Sequence, residues 1–285
     1  MAFAQRIVFL FFFVTASFGQ RIPLSLFEPI TVTDAQEIRI QQLDSIAEKT
    51  QVQQEELATL YVTTKDFDNA FEILAEMCAA YPKNFDYQYL YGGVSGILAT
   101  ELPRIKSLPY VRAMKTAFEQ AVALKPKALD VQIVLVELYT ELPFILGGSK
   151  KKALEKLKIV KSLSVVEGLL AEGYYFRATN KNKEALVAYL KAMNEINTCN
   201  PSLELLQDSY YQLGVLAYYL QKDMSKAACL FSTFIEKQDS GAAYPKSFAH
   251  HYLNKISDLE NSDSEMESTL MEYDKLSSWI QNNFK

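Results

Sequence analysis

The sequence predicts an all-α protein, an α-α superhelix of about five helical hairpins with flanking helices, and three observations carry that reading. In residues 51–82, Leu57, Ala58 and Tyr61 share one face of a first helix and Ala70, Leu74 and Met77 share one face of a second, with Asp66 to Asn69 as the polar turn and Pro82 at the close. The same order of large, small and ring-bearing positions returns in later segments up to Pro245. Capping patterns stand before the apolar runs, as at Thr50 with Gln53. Ala58 and Ala70 let two backbones approach, while Tyr61, Leu74 and Met77 fill the space around them. Such a hairpin cannot bury both faces alone, so it requires neighbours.

Residues 1–19 read as an export signal: one charge at Arg6, an apolar core from Ile7 to Val14, and the small residues Ser17 and Gly19 before Gln20. About a dozen apolar residues fall short of the roughly 20 that span a bilayer, and no later stretch approaches that length. No Cys stands at the cleavage point, which excludes a lipoprotein signal. The Phe-rich signal followed by Gln has a bacterial character, so the expected location is the periplasm. Loss of Arg6 makes the formal charge of −5 one unit more negative, which disfavours nucleic acid as a partner. Of the three cysteines, Cys78 and Cys229 lie within helical patterns and read as small apolar filler; Cys199 is the third, and no disulfide is assigned.

Residues 20–33, with Pro23 and Pro29, form an extended leader. A helical repeat domain over 34–260 follows. Asp34 with Glu37 resembles a capping box and opens a helix through Ile38, Leu43 and Ile46, whose apolar face covers the open end of the array. After the first hairpin, the second starts near Asp86, with Tyr91 and Gly92 at the large and small positions, and ends with Met114, Phe118, Ala121 and Pro126. About ten extra residues, including Leu102, Pro103, Leu108 and Pro109, require either a long first helix or a protruding loop. The third uses Leu135, Tyr139, Ala153, Leu157 and Val160. The fourth uses Gly173, Phe176, Ala185, Tyr189 and Ala192, with the polar turn Asn180 to Lys183. The fifth uses Leu213, Gly214, Ala227, Phe231 and Phe234. A helix from Ser247 to Leu259 starts a sixth unit. Residues 261–285 then form one amphipathic capping helix, begun by Ser262 and Glu265 and carrying Met266, Leu270, Tyr273, Leu276 and Ile280; it either folds back over the array or serves as a dimer or partner helix.

The spacing in these hairpins resembles the tetratricopeptide signature over most of residues 51–245. Pro143, Gly147, Gly148 and Ser149 further resemble an Ala-Pro-Gly-Ile-Ala-Gly-Gly-Ser-like turn of a group of exported bacterial tetratricopeptide proteins, from which Leu142, Phe144 and Leu146 depart. That resemblance implies a scaffold fold and no reaction. A general architectural likeness to the helical-repeat helper subunits of solute transporters implies a second role, the enclosure of a small solute.

Gly148, Ser149 and Lys150 open a helix N-terminus followed by two more lysines, a candidate anion site. It is not a phosphate-binding P-loop, since the GxxxxGK[ST] spacing is missing. His250 and His251 point about 100° apart on a helix and do not share a metal. No hydrolase, zinc or dinucleotide motif occurs, so the chain reads as a non-enzyme without cofactor or metal.

The hairpin register leaves each first helix an outward face, and the resemblance to tetratricopeptide arrays implies that this face lines the concave surface. That face carries Asp86 and Tyr89, then Asp130, Ile133 and Glu137, then Glu167, Leu170, Tyr174 and Arg177, then Asp208, Tyr211 and Tyr218. It is tyrosine-rich and net acidic. Tyrosine offers area and a hydrogen-bonding tip at small entropic cost, as a peptide groove requires; alternatively these rings pack against the neighbouring hairpin or the leader. The function expected is a periplasmic scaffold binding an extended protein segment carrying Lys or Arg, with the solute helper as alternative. Oligomeric state is left open.

Overall fold

The computed structural model describes residues 31–196, 204–238, 242–257 and 264–284. The predicted signal, most of the leader and Ser262 lie outside them. The described residues are helical and contain no strand. They form two compact units that divide between Val131 and Gln132.

The first unit holds α1 (Asp34–Asp44), α2 (Gln51–Thr63), α3 (Phe67–Ala80), α4 (Phe85–Glu101) and α5 (Arg104–Leu124). Thr50 caps α2 through a reciprocal box with Gln53, as expected. The box before α1 is Thr33 with Gln36, one residue ahead of the Asp34–Glu37 pair read from sequence, because Thr33 has the extended backbone that an N-cap needs. Leu57, Ala58, Tyr61, Ala70, Leu74 and Met77 are all buried. The extra residues of the second hairpin lengthen its helices and form no loop: α4 runs to Glu101 and α5 starts at Arg104, with Pro109 inside it. In the packing of α4 on α5, a Cβ built on Gly92 would lie 2.8 Å from the Phe118 ring.

The second unit takes up α6 (Leu129–Glu141), a 3-10 turn (Phe144–Leu146), α7 (Lys150–Leu163), α8 (Val165–Ala178), α9 (Asn182–Glu195), α10 (Gln207–Leu216), a π turn (Ala217–Gln221), α11 (Met224–Lys237), α12 (Lys246–Ile256), α13 (Ser264–Tyr273) and α14 (Lys275–Asn283). Its hairpins repeat the small-residue device. Cβ atoms on Gly173 and Gly214 would lie 2.3 Å from Tyr189 and 2.7 Å from Phe231, so each glycine seats a ring of the second helix against the first. Hairpin turns repeat as well. Lys65, Asn180 and Lys222 each take positive φ two residues before the second helix, and the amides of Asp66 and Lys181 donate to Tyr61 and Phe176 carbonyls at 2.8 Å. This is the left-handed helix ending that satisfies carbonyls left over by the first helix.

Three expectations are corrected here. The sixth first-helix runs over Lys246–Ile256 and ends before Leu259. The single C-terminal helix is two, broken at Asp274, whose carboxylate accepts from the amides of Leu276 and Ser277 at 3.0 and 3.1 Å; a side chain that caps a new helix ends the old one. Cys229 is disulfide-bonded and so is not apolar filler, whereas the buried Cys78 thiol is free and burial pushes it up to about 12.

Candidate functional site

Within the second unit, α14 returns onto the face formed by α8, α10, the π turn and α12. Leu276 and Ile280 are buried there and join a core with Tyr189, Tyr211, Phe231 and Tyr252. The polar contacts are as specific as the apolar ones. Tyr211 donates its hydroxyl to Asp274 at 2.6 Å, the hydroxyls of Tyr252 and Ser277 lie 2.6 Å apart, and Gln281 donates to the Tyr219 hydroxyl at 2.6 Å. The single tryptophan of the chain, Trp279, sits edge-on to Tyr189 and donates its indole N–H to Asn182 at 3.1 Å.

This return explains where the predicted groove residues went. Asp208 and Tyr211 are 0% exposed, Glu167 2%, and Glu137 and Tyr174 6% each, so these five are interior groups. Register reasoning placed them on one face and left open whether that face is a groove or packs against the rest of the chain; here the five are buried. Asp208 receives the Ala243 amide on both oxygens at 3.1 Å. Tyr211 stacks on Tyr244 with centroids 4.1 Å apart. Tyr218 is half-buried against Tyr219 and Tyr252. In the first unit, Asp86 pairs with Lys125 at 3.6 Å and Tyr89 stacks on Phe85. Asp130 is half-buried in the first turn of α6.

The buried carboxyl groups have distinct environments. Glu167 accepts the Leu206 amide at 2.8 Å and the Ser209 hydroxyl at 2.7 Å. Burial raises it to about 7, and those two hydrogen bonds only partly oppose the rise. Glu141 is likewise raised to about 7 by burial, against the hydrogen bond from Tyr174 at 3.0 Å and the charge of Arg177. Glu137 is pushed well above the ordinary carboxyl value by burial and then by Glu141. Asp274 is raised by burial in spite of four hydrogen bonds. Arg177 is the cation of the group; it donates to the Lys275 carbonyl at 3.4 Å and its Nε is buried.

A cavity of about 20 Å³ lies among Glu137, Glu167, Tyr174, Arg177, Ser209 and Leu276. Of the residues around it, Glu137 Oε2 and Arg177 Nε are buried atoms without a hydrogen-bond partner among the described residues.

The candidate anion site is organised by the chain itself. Gly147 has φ 90°, Gly148 abuts the Leu142 carbonyl so closely that a Cβ would lie 1.7 Å from it, and the Ser149 hydroxyl accepts the Lys152 amide at 3.3 Å. Lys150 is exposed. The two histidines separate as expected: His250 is exposed, and His251 is buried with Nε2 2.8 Å from Glu267. Among the described residues, no group of three or more His, Cys, Asp or Glu is placed to hold a metal ion, and no helix is long and apolar enough to cross a membrane.

Sequence reasoning missed Asp274, Tyr244 and Tyr252. Asp274 had a signal, an Asp standing three residues before Ser277 as an N-cap does before its first turn. Tyr244 had none, since its ring is brought to Tyr211 by tertiary packing.

The fold and this face define an all-α protein of stacked helical hairpins. No protein-family model matches the chain, and no curated protein matches it.

Proposed function

We propose that this chain is a non-enzymatic interaction scaffold of the tetratricopeptide type, and that the face of the second unit now under α14 is its segment-binding surface. The observation that carries this reading is α14 itself. A nine-residue amphipathic helix is held there by apolar anchors, Leu276, Trp279 and Ile280, and by tyrosine hydroxyls that read its capping Asp274 and its Ser277. A face that binds a helical segment of its own chain has the chemistry to bind a similar one in trans. The segment favoured by this geometry is therefore helical, with an N-cap Asp, rather than extended and basic. An exported, periplasmic location is supported by the pattern of residues 1–19 and by the disulfide at Cys229, which suits an oxidising compartment. The solute-helper alternative has less support, because the extra residues at 102–109 go mainly into helix α5 and form no protruding loop.

The test uses a fluorescent peptide spanning residues 274–285 and the full chain carrying Leu276→Asp with Ile280→Asp, which undocks α14. The peptide is expected to bind this variant and to bind it at least tenfold more weakly when Tyr211→Phe and Tyr252→Phe are added, roughly what two lost hydrogen bonds cost. Equal binding with and without the tyrosine hydroxyls would remove the proposal.

A further inference from the structure

The 3-10 turn between α6 and α7 holds two large apolar side chains out in water. Phe144 is 90% exposed and Ile145 88%, more than any other large apolar residue among those described, so almost nothing of the protein surrounds either side chain. The turn that displays them is fixed. The amides of Leu146 and Gly148 donate to the Pro143 carbonyl at 2.9 and 3.1 Å, that of Gly147 donates to the Phe144 carbonyl at 2.9 Å, and that of Ser149 donates to the Tyr139 carbonyl at 2.8 Å. The display is therefore a property of the fold, and folding recovers none of its cost in hydration. The helix that follows is as unusual in charge. α7 carries six lysines against one acidic residue, Glu155, in a chain whose formal net charge is −5. Lys161 is committed to Glu172 at 2.6 Å and Lys152 lies over the Tyr139 ring, whereas Lys150, Lys151 and Lys158 are exposed. Leu154, also exposed, stands three or four positions from each of those three and so shares their flank of the helix, away from the buried Ala153, Leu157 and Val160.

We propose that this surface docks the chain on a lipid bilayer carrying anionic phospholipid, with Phe144 and Ile145 entering the boundary between headgroups and acyl chains and Lys150, Lys151 and Lys158 meeting the phosphates. The two kinds of side chain match the two layers of that partner, because the apolar tip gains by leaving water while a lysine lays its alkyl stem along lipid and keeps its ammonium at headgroup level. Charge selects an anionic bilayer over a zwitterionic one. Shape favours lipid over an acidic protein, since a protein interface sets its apolar residues within a close-packed patch ringed by polar ones, whereas a fluid bilayer closes around two side chains that stand clear. The net negative charge of the chain adds a condition: an anionic surface repels the molecule as a whole, and attraction operates only within about a Debye length, roughly 8–10 Å, with this flank turned to the lipid. Docking is therefore oriented. The surface shares no residue with the face under α14, so the inference goes beyond the segment-binding reading.

The expected exported form, beginning at Gln20 so that the apolar signal cannot itself enter lipid, is sedimented with phosphatidylcholine vesicles in which phosphatidylglycerol makes up none or about a third of the lipid. Binding to the anionic vesicles and little to the neutral ones is expected. Phe144→Ser with Ile145→Ser is expected to weaken that binding about tenfold or more, through lost insertion. Lys150→Gln with Lys151→Gln and Lys158→Gln is expected to weaken it by a similar factor and to abolish the preference for anionic lipid. Both variants should keep the wild-type urea midpoint, since all five side chains are exposed; a fallen midpoint would show that they pack against the protein and would overturn the proposal. Equal binding by the wild type and the Phe144, Ile145 variant would reduce the contact to charge alone and overturn it. So would the absence of binding up to roughly millimolar anionic lipid. Self-association in sedimentation velocity that the same variant abolishes, without vesicle binding, would assign the surface to a second copy of the chain instead. Because the segment test reads a peptide on the undocked α14 face and this one reads vesicles with α14 docked, either can fail without the other.

Discussion

Gly173 sits where the first and second helices of the fourth hairpin come closest, and the ring it faces belongs to a packed interior. Alanine is the better helix former by about 1 kcal/mol, yet its methyl would lie 2.3 Å from Tyr189 and force a buried ring to move. The clash outweighs the propensity, so Gly173→Ala is expected to destabilise the chain by about 1–3 kcal/mol, read as a lower urea midpoint. Tyr211 makes a stronger case. It is fully buried, touches Phe231, Phe234, Tyr244 and Tyr252, and donates to a buried carboxyl. Tyr211→Ala is expected to cost about 3–5 kcal/mol, with a large fall in melting temperature. A variant that melts normally would mean that Tyr211 lines an open groove after all.

At the scale of one element, α14 is short, and nine residues do not hold a helix in water without tertiary support. Its start depends on Asp274, which caps Leu276 and Ser277 and receives Tyr211 and the Ser277 hydroxyl. Asp274→Ala removes the cap and leaves the Tyr211 hydroxyl unpaired in the core, so α14 is expected to fray or lift. Trp279 is the natural reporter, since it is the one tryptophan and lies against Tyr189. Its emission should shift to the red while far-ultraviolet circular dichroism changes little. An unchanged emission maximum would show that Leu276 and Ile280 hold the helix without the cap.

For the whole molecule, the buried carboxyls set an unusual pH dependence. Glu141 and Glu167 are raised from 4.5 to about 7 in the folded chain. Between those values the folded chain holds their protons and the unfolded chain does not, so stability falls as pH rises through that window. The contribution is fully present below 4.5 and lost by the time pH passes 7. Glu267 acts in the opposite sense. Burial works to raise it, but hydrogen bonds from Lys255 and His251 outweigh burial and hold it low, so its contribution is lost as pH falls below 4.5. Urea midpoints are expected to decline from about pH 5 to 7, and Glu167→Gln is expected to flatten that decline. A midpoint that climbs through this window, with the same slope in the variant, would refute the buried-carboxyl account.

The hairpins were legible in the sequence because their determinants are local. Leu57, Ala58 and Tyr61, or Gly173 and Tyr189, meet within one repeat at spacings that a helix imposes, and all five are buried or in close contact. The composition of the site was also legible, since register placed Glu137, Glu167, Tyr174, Arg177, Asp208 and Tyr211 on one face. What the sequence left undecided is whether this face is open or covered, and by which segment. Arg177 meets Lys275 across 98 positions and Tyr211 meets Asp274 across 63, and no periodicity in the chain encodes a contact at such separations. The break at Asp274 turned on a similar point. The helical pattern runs through it from Met266 to Ile280, and only when the Tyr211 and Ser277 hydroxyls donate to its carboxylate does ending one helix and starting another become the lower free energy. Local spacing therefore determined the repeat, and long-range burial decided that its most polar face became an interior.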